Sequence, residues 1–213
     1  MPPDLRGNRR LLDHLASATT GTPAADPPTH DPSIIRIPIA GNLLDHFTAR
    51  AEAAGMHPAH TTEARLLDAI RTLWHQTTSG PALLEPALDC TRPNLRAQLG
   101  NCLADPTEDE LFAADLAIVS AQAAIAETGS LVRPAAPDRP RSYALVPMTI
   151  IVVLHASQIV ADLYDFLAAQ TPAHMPSEIV LITGPSKSSD IGMQLVTGVH
   201  GPGVVHILIV TEA

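Results

Sequence analysis

The densest group of residues that could do chemistry lies in one loop, TGPSKSSDIGMQLVTGVHGPG, residues 183–203. Lys187 supplies a cation, Ser186 and Ser188 supply hydroxyls, and Gly184 allows backbone conformations that other residues rarely adopt. A small carboxylate or phosphate is the ligand that fits this combination. The alternative is that proline, serine and glycine simply make a turn and that Lys187 is solvated.

Further residues of the same loop are candidates for proton chemistry or ligand contact. Asp190 could be a general base, a metal ligand, or the favourable negative charge in the first turn of a helix. A helix that begins near Ser189 would add free N–H groups to the preference for an anion. His200, followed by Gly201, could exchange a proton with a ligand or could be a structural histidine. The loop does not match the P-loop pattern, so it does not indicate a nucleotide triphosphate site.

A second stretch, AAIAETGSLV, places a carboxylate beside a glycine turn. Glu127, Thr128 and Gly129 stand between two apolar segments, so we expect a hairpin with Glu127 near its tip. A carboxylate there could act as a base, a nucleophile or an anchor for a ligand. It could equally be an ordinary charged residue at the end of a hairpin.

The cysteine and histidine content argues against a metal centre in this chain. Cys90 and Cys102 are the only cysteines and form no C-x-x-C motif, which leaves too few thiolates for an iron–sulfur cluster or a cysteine-rich zinc site. His57 and His60 have a metal-binding spacing only on a helix, and Pro58 disfavours a helix there. We therefore predict no metal site.

Charge and hydropathy exclude two classes of partner. The formal net charge is −9 with no sustained basic run, which argues against a nucleic-acid backbone. No stretch approaches the ~20 apolar residues that span a bilayer, and the first residues lack the pattern of a cleaved leader. We expect a cytoplasmic protein with no membrane span.

Three apolar runs predict the strands that must position these loops: PMTIIVVLH, SEIVLI and VVHILIV. Runs rich in β-branched residues are typical of strands buried on both faces, so we expect parallel pairing with helical crossovers. SQIVADLYDFLAAQ predicts an amphipathic helix capped by Ser157, and DLAIVSAQAAIAETGSLVRP predicts two strands joined at Gly129. His155 and His206 border apolar strands and are interpreted as hydrogen-bonded edge histidines.

The first half of the chain is predicted to be mainly helical. NLLDHFTARAEAAG predicts a helix with Asn42 as N-cap and Gly55 as its stop, and TTEARLLDAIRTLWHQ predicts a second. NLRAQLGNCLA and TEDELFA predict shorter helices. We expect residues 1–33 to form a short helix and a proline-rich linker, and residues 34–213 to form one α/β domain.

The stretches AAIAETGSLV and ITGPSKSSDIGMQLVTGVHGP, with the apolar run IIVVLH between them, closely resemble the lactate-utilisation protein C family, whose members carry the LUD domain. The resemblance is strongest over about residues 111–210. It implies the layered α/β fold shared by glucosamine-phosphate isomerase, ribose-5-phosphate isomerase and CoA transferases, in which helices flank a mainly parallel sheet.

The resemblance also implies a function in the oxidation of L-lactate to pyruvate. Iron–sulfur clusters are then expected on partner subunits, and no cofactor is expected in this chain. Lys187 stands where an Arg is common in the family, so an ammonium replaces a guanidinium that could bind a carboxylate through two donors. Gly192 stands where members of the family often carry a Glu. The candidate residues for binding a small carboxylate, a phosphate or a partner are Glu127, Thr128, Gly129, Gly184, Ser186, Lys187, Ser188, Asp190, His200 and Gly201.

Two other functions remain open from the sequence. The relatives of the fold suggest a self-sufficient enzyme or binding protein that acts on a sugar phosphate, an acyl-CoA or a folate-like molecule, although fold alone is a weak guide to activity. The second of these functions is that of a scaffold protein whose loops have only a structural role.

Overall fold

The computed structural model describes residues 39, 41–92, 94–170, 176–189, 195–198 and 200–212. The predicted N-terminal helix and linker, residues 1–33, lie outside this part of the chain, as do Asp190 and Gly192. No helix within the described ranges is long and apolar enough to cross a membrane.

The described residues form six α-helices and twelve strands. The helices are α1 (Leu43–Ala53), α2 (Glu63–Thr77), α3 (Pro86–Thr91), α4 (Leu95–Leu99), α5 (Glu108–Ala113) and α6 (Leu163–Ala168). The strands are β1 (His57–Thr62), β2 (Ala82–Leu84), β3 (Cys102–Leu103), β4 (Leu116–Ser120), β5 (Ala123–Ile125), β6 (Ser130–Pro134), β7 (Thr149–His155), β8 (Ile159–Val160), β9 (Ile179–Ile182), β10 (Lys187–Ser189), β11 (Leu195–Thr197) and β12 (Val204–Thr211).

The main sheet has six parallel strands in the order β1-β12-β7-β4-β2-β3. The predicted parallel pairing is confirmed for the apolar runs of β7 and β12. Strand β7 is buried on both faces because its side chains alternate between two cores. Ile150 and Val152 join the core that includes Phe47 of α1, whereas Ile151 and Val153 join the core beneath α2.

A second sheet has the order β8-β5-β6-β9 and shares the core on the α1 side. Its β5–β6 hairpin confirms the predicted turn at Gly129, although the segment contains a third strand, β4, in the main sheet. The prediction that SEIVLI is a buried parallel strand is wrong, because β9 pairs antiparallel with β6. Strand β9 is also less buried than predicted, because Leu181 is 44% exposed.

The predicted helix capped by Ser157 begins later than expected. Residues Ala156–Gln158 form a short 3-10 helix, and the β-branched Ile159 and Val160 pair with β5 as β8 instead of entering a helix. Helix α6 follows, with the Asp162 carboxylate accepting a hydrogen bond from the Asp165 N–H at 2.9 Å.

Strand β1, HPAHTT, is one of the elements that the sequence analysis did not predict. It pairs with β12 from His57 to Thr62 and forms one edge of the main sheet. The helices on either side of it were predicted correctly. In α1 the Asn42 side chain caps the Leu44 N–H at 2.9 Å, and the helix ends before Gly55 as expected.

Candidate functional site

The two motif loops, residues 126–130 and 183–187, meet on the last turn of helix α1. Gly129 has φ +72°, and a Cβ there would lie 2.5 Å from the backbone nitrogen of Ala51. Gly184 has φ +112°, and a Cβ there would lie 2.6 Å from the carbonyl oxygen of Ala54. Both loops therefore press directly on the helix backbone, at places where no side chain fits.

Hydroxyl groups join the two motifs. The Ser130 Oγ lies 2.7 Å from the Thr128 Oγ1 and 2.7 Å from the Thr183 Oγ1, so the three form a continuous hydrogen-bonded chain. Ser130, in the middle of this chain of hydroxyl groups, is buried, whereas Thr128 and Thr183 at its two ends are exposed. The structure thus brings together two stretches that lie more than fifty residues apart.

Ser186 ties the second motif to the segment that precedes β12. Its N–H donates to the Pro202 carbonyl at 2.8 Å, and its own carbonyl accepts from the Gly198 N–H at 2.9 Å. Its Oγ accepts from the His200 N–H at 3.3 Å. The backbone of Gly201 passes close to the same side chain, since a Cβ on Gly201 would lie 3.4 Å from the Ser186 Cβ. Ser186 and Gly201 therefore shape the loop, and the His200 residue is left exposed beside it.

Lys187 lies at the carboxyl end of α1. Its Nζ is 3.5 Å from the position that a Cβ on Gly55 would take. Because helix carbonyls make this end negative, the ammonium is favourably placed there and remains exposed to solvent. Lys187–Ser189 form strand β10, which pairs antiparallel with β11, so Ser189 lies in a strand, and residues 190–194, where the predicted helix would continue, lie outside the described residues.

The remaining candidates are placed as follows. Glu127 is exposed and turns toward β8, where its N–H donates to the Ala161 carbonyl at 3.0 Å. Ser188 lies in β10, and Asp190 lies outside the described residues. The structure brings together Thr128, Gly129, Gly184, Ser186, Lys187, His200 and Gly201.

The motif loops lie at the amino-terminal edge of the main sheet. Gly203, at the end of the loop, donates its N–H to the Met148 carbonyl at 2.8 Å, and Met148 directly precedes β7. In the sequence the loop directly follows the apolar run SEIVLI, so it is expected at the carboxyl end of that strand. That holds for β9 in the second sheet, but in the main sheet the loop lies at the opposite edge.

The carboxyl-terminal edge of the main sheet carries a different group of polar residues. A cavity of about 900 Å³ opens there against the ends of β1, β7 and β12. Beside it the Arg92 Nε donates to the Glu63 Oε1 at 2.7 Å, and the Arg92 Nη2 lies 2.7 Å from the His155 Nε2. A guanidinium only donates, so the His155 Nε2 is the acceptor. The interpretation of His155 as a hydrogen-bonded edge histidine is confirmed.

The LUD domain family model matches residues 44–210, which are most of the chain and include both motif loops. The chain belongs to the LUD domain family. The resemblance stated from the motifs is therefore confirmed.

Relatives of this LUD domain protein include proteins named Lactate utilization protein C. The one from Bacillus subtilis (strain 168) is 30% identical over 171 residues, which are 71% of each chain. The one from an Exiguobacterium species is 38% identical, and the match spans 46% of this chain and 45% of that relative. The match to the Anoxybacillus flavithermus relative, at 36% identity, likewise spans only 40% of its length.

A crystal structure of a DUF162 family protein from Deinococcus radiodurans is similar to this LUD domain protein with a TM-score of 0.59. The similarity covers 79% of this chain and 96% of that one, at 23% sequence identity. It supports the α/β fold with a mainly parallel main sheet.

Sequence reasoning missed several polar residues of the LUD domain that the fold brings together. Ser130 and Thr183 lie within the two motif loops but were not among the candidate residues, and a hydroxyl at the end of each paired strand was the available signal. Glu63 and Arg92 are 29 residues apart, and their pairing depends on strand β1, which was not predicted.

Proposed function

We propose that this LUD domain protein takes part in lactate utilisation as a subunit without a redox centre. In this proposal iron–sulfur subunits oxidise L-lactate to pyruvate beside it in the cytoplasm. Support comes from the relatives named Lactate utilization protein C. Two cysteines in the whole chain are fewer than the four thiolates that hold a typical cluster, so the clusters are assigned to partners.

The observation that carries the proposed binding role is the convergence of the motif loops on one surface at the end of α1. Thr128, Lys187 and His200 are all exposed there. An ammonium, a hydroxyl and an imidazole are suitable groups to bind a small carboxylate, or a carboxylate of a partner subunit. Gly129 and Gly184 hold the loops against the helix, so these side chains are carried on a fixed backbone.

The first test is deletion of the gene in its own organism and growth on L-lactate as the sole carbon source. We expect the deletion strain not to grow on L-lactate but to grow normally on pyruvate. Complementation by the wild type should restore growth. Normal growth of the deletion strain on L-lactate would contradict the proposed function.

Variants at Lys187 test the motif loops within the same experiment. Lys187→Arg keeps the cation at the end of α1 and should restore growth, whereas Lys187→Ala removes it and should restore growth poorly. Immunoblotting checks that the variants accumulate equally. Full rescue by Lys187→Ala would show that the loop is not the working surface.

Partner binding has its own measurement. Affinity-tagged protein purified without oxygen from lactate-grown cells should bring with it subunits that contain iron and acid-labile sulfide. Recovery of the tagged chain alone, under conditions in which the subunits are present in the lysate, would contradict the assignment of the clusters to stable partners.

One observation favours a second candidate function, a self-sufficient enzyme or ligand-binding protein. The cavity of about 900 Å³ at the carboxyl ends of the parallel strands is large enough for a sugar phosphate, an acyl-CoA fragment or a folate-like molecule. Ligands of open α/β sheets bind at this edge. Thermal unfolding with each class of compound distinguishes the two candidates, because only the second predicts a rise in Tm for the isolated chain.

A further inference from the structure

A small cavity lies at the carboxyl ends of β4 and β7, away from the motif loops. Its volume is about 160 Å³, which corresponds to roughly five water molecules at liquid density. The guanidinium, imidazole and amide side chains in its lining are Arg92, Gln122, Arg139, His155 and Gln158. Strand β7 has seven residues and separates this cavity from the motif loops by about 20 Å.

Arg139 lies in the wall of this cavity, and its side chain carries a donor without a partner. Among the described residues the Arg139 Nε is buried and has no hydrogen-bond partner. The loop that carries it is fixed at both ends, since the Arg139 N–H donates to the Ala136 carbonyl and the Asp138 carbonyl accepts from the Ala87 N–H, both at 3.0 Å. A buried unpaired donor on a charged group is costly, and native proteins rarely leave one without an acceptor.

Arg92 supplies a second guanidinium to the wall of the cavity. The Arg92 side chain is 16% exposed, whereas that of Glu63, its carboxylate partner, is 56% exposed. Glu63 is not among the residues that line this cavity, so a carboxylate bound in the cavity would share the positive charge of Arg92 with Glu63.

Gln158 forms a fixed wall of the cavity. Its Oε1 accepts from the His155 N–H at 2.7 Å, and its Nε2 donates to the carbonyls of Ala121 and Gln122 at 3.3 and 3.2 Å. The oxygen and the nitrogen of the Gln158 amide are therefore both hydrogen-bonded to the backbone at the ends of β4 and β7. The two arginines are the cationic side chains in the wall of the cavity.

We propose that this cavity is a binding site for a short-chain carboxylate, with Arg139 and Arg92 as its cationic partners. Guanidinium groups present planar pairs of donors that match the two oxygens of a carboxylate. The cavity volume suits a molecule with a few non-hydrogen atoms and excludes a nucleotide. The site lies at the edge of the sheet where open α/β proteins bind ligands.

Isothermal titration calorimetry of the full chain tests the proposal with acetate, pyruvate and L-lactate as probes, each against sodium chloride at equal ionic strength. Arg139→Gln should weaken binding about tenfold or more, as expected for loss of a hydrogen bond to a charged group. Glu63→Gln should tighten binding severalfold, because it removes the carboxylate that competes for Arg92. Arg71→Gln is the matched control, since the Arg71 Nη2 bonds the Gln98 carbonyl outside this cavity, and it should leave binding unchanged.

The opposite effects of the two variants separate a binding site from simple loss of folding. Thermal unfolding without ligand should give Arg139→Gln a Tm close to that of the wild type, because the replaced donor has no partner in the described structure. Absence of carboxylate binding to the wild type at millimolar concentration would overturn the proposal. So would equal binding by wild type, Arg139→Gln and Glu63→Gln, or tighter binding of inorganic phosphate than of every carboxylate. The growth tests at Lys187 are independent of these outcomes.

Discussion

Two glycines determine how closely the motif loops approach helix α1. Gly129 and Gly184 both have positive φ, and both face the helix backbone at distances that a Cβ could not tolerate. The positions that the motif pattern marks for a ligand therefore have a packing role, while the exposed Thr128, Lys187 and His200 are the groups available for recognition.

Gly129→Ala tests this packing role. The substitution should lower the free energy of unfolding in urea by several kcal/mol, because strain at positive φ, about 1–3 kcal/mol, adds to the clash with Arg50 and Ala51. Gly100→Ala is the matched control, since Gly100 also has positive φ, +90°, but has no neighbour within 4 Å of its added Cβ. Equal losses for the two variants would show that backbone strain alone explains the glycine at 129.

The sequence predicted which residues of the two motif loops lie together better than it predicted what those residues do. Gly184, Ser186 and Gly201 were candidates for ligand contact, but their contacts in the structure are with α1 and with one another. Thr183 and Ser130 were not chosen as candidate residues, because a chain of hydroxyl groups across two loops depends on the β6–β9 pairing. The type of a residue shows which hydrogen bonds it can donate or accept. Which partner it meets depends on the pairing of strands that are distant in the sequence.

At the scale of elements, an edge strand joins the histidines of two distant segments. In the parallel β1–β12 pair, His57 lies opposite His206, and their ring centroids are 5.3 Å apart. Burial, followed by the neighbouring His57, lowers the pKa of His206 below its ordinary value. The folded chain therefore keeps His206 neutral at a pH where the unfolded chain protonates it.

The sign of this shift predicts a loss of stability in mild acid. The contribution of neutral His206 is fully present above the ordinary histidine pKa of about 6.5 and is lost as the pH falls through the lowered folded-state pKa. His206→Gln should therefore flatten the dependence of the unfolding free energy on pH between roughly 7 and 5. His75→Gln, at an exposed position on α2, should leave the slope unchanged. The same slope in His206→Gln and wild type would assign the acid sensitivity to another group.

The elements that the sequence predicted are those with a single strong pattern. Strands β7 and β12 are continuous apolar runs, and α1 has both its cap and its stop. Strand β1 was missed because HPAHTT has weak strand propensity and forms at the sheet edge only by pairing with β12. The predicted start of α6 was too early, because Ile159 and Val160 pair with β5 as strand β8 instead of entering the helix.

At the scale of the whole molecule, a buried ion pair links the two sheets. Glu85 follows β2 of the main sheet and is 0% exposed, and Arg133 lies in β6 of the second sheet and is 4% exposed. The Glu85 carboxylate also accepts from the Ser120 N–H at 2.6 Å, and the Arg133 Nε donates to the Ser120 carbonyl at 2.9 Å. The ends of β2, β4 and β6 are thus held by one network.

The layered α/β architecture was predictable from the composition and the apolar runs, but the link between its two sheets was not. Glu85 precedes a proline in PALLEPALDC, and Arg133 lies in the apolar SLVRP, and neither residue has a pattern that identifies a partner 48 positions away. The two meet because β4 passes from the main sheet into the hairpin of the second, which brings the ends of β2 and β6 together.

Removal of one partner of this pair should weaken the whole domain. Glu85→Ala leaves the Arg133 charge buried and uncompensated, so we expect a loss of about 3–5 kcal/mol in the free energy of unfolding in urea. Arg133→Met should cost a similar amount, and the double variant should lose clearly less than the sum, because no charge then stays buried alone. Arg141→Ala is the control, since its pair with Glu178 is exposed on both sides and should contribute at most about 1 kcal/mol. Strictly additive losses at Glu85 and Arg133 would mean that each acts through Ser120 and that the charges themselves do not join the sheets.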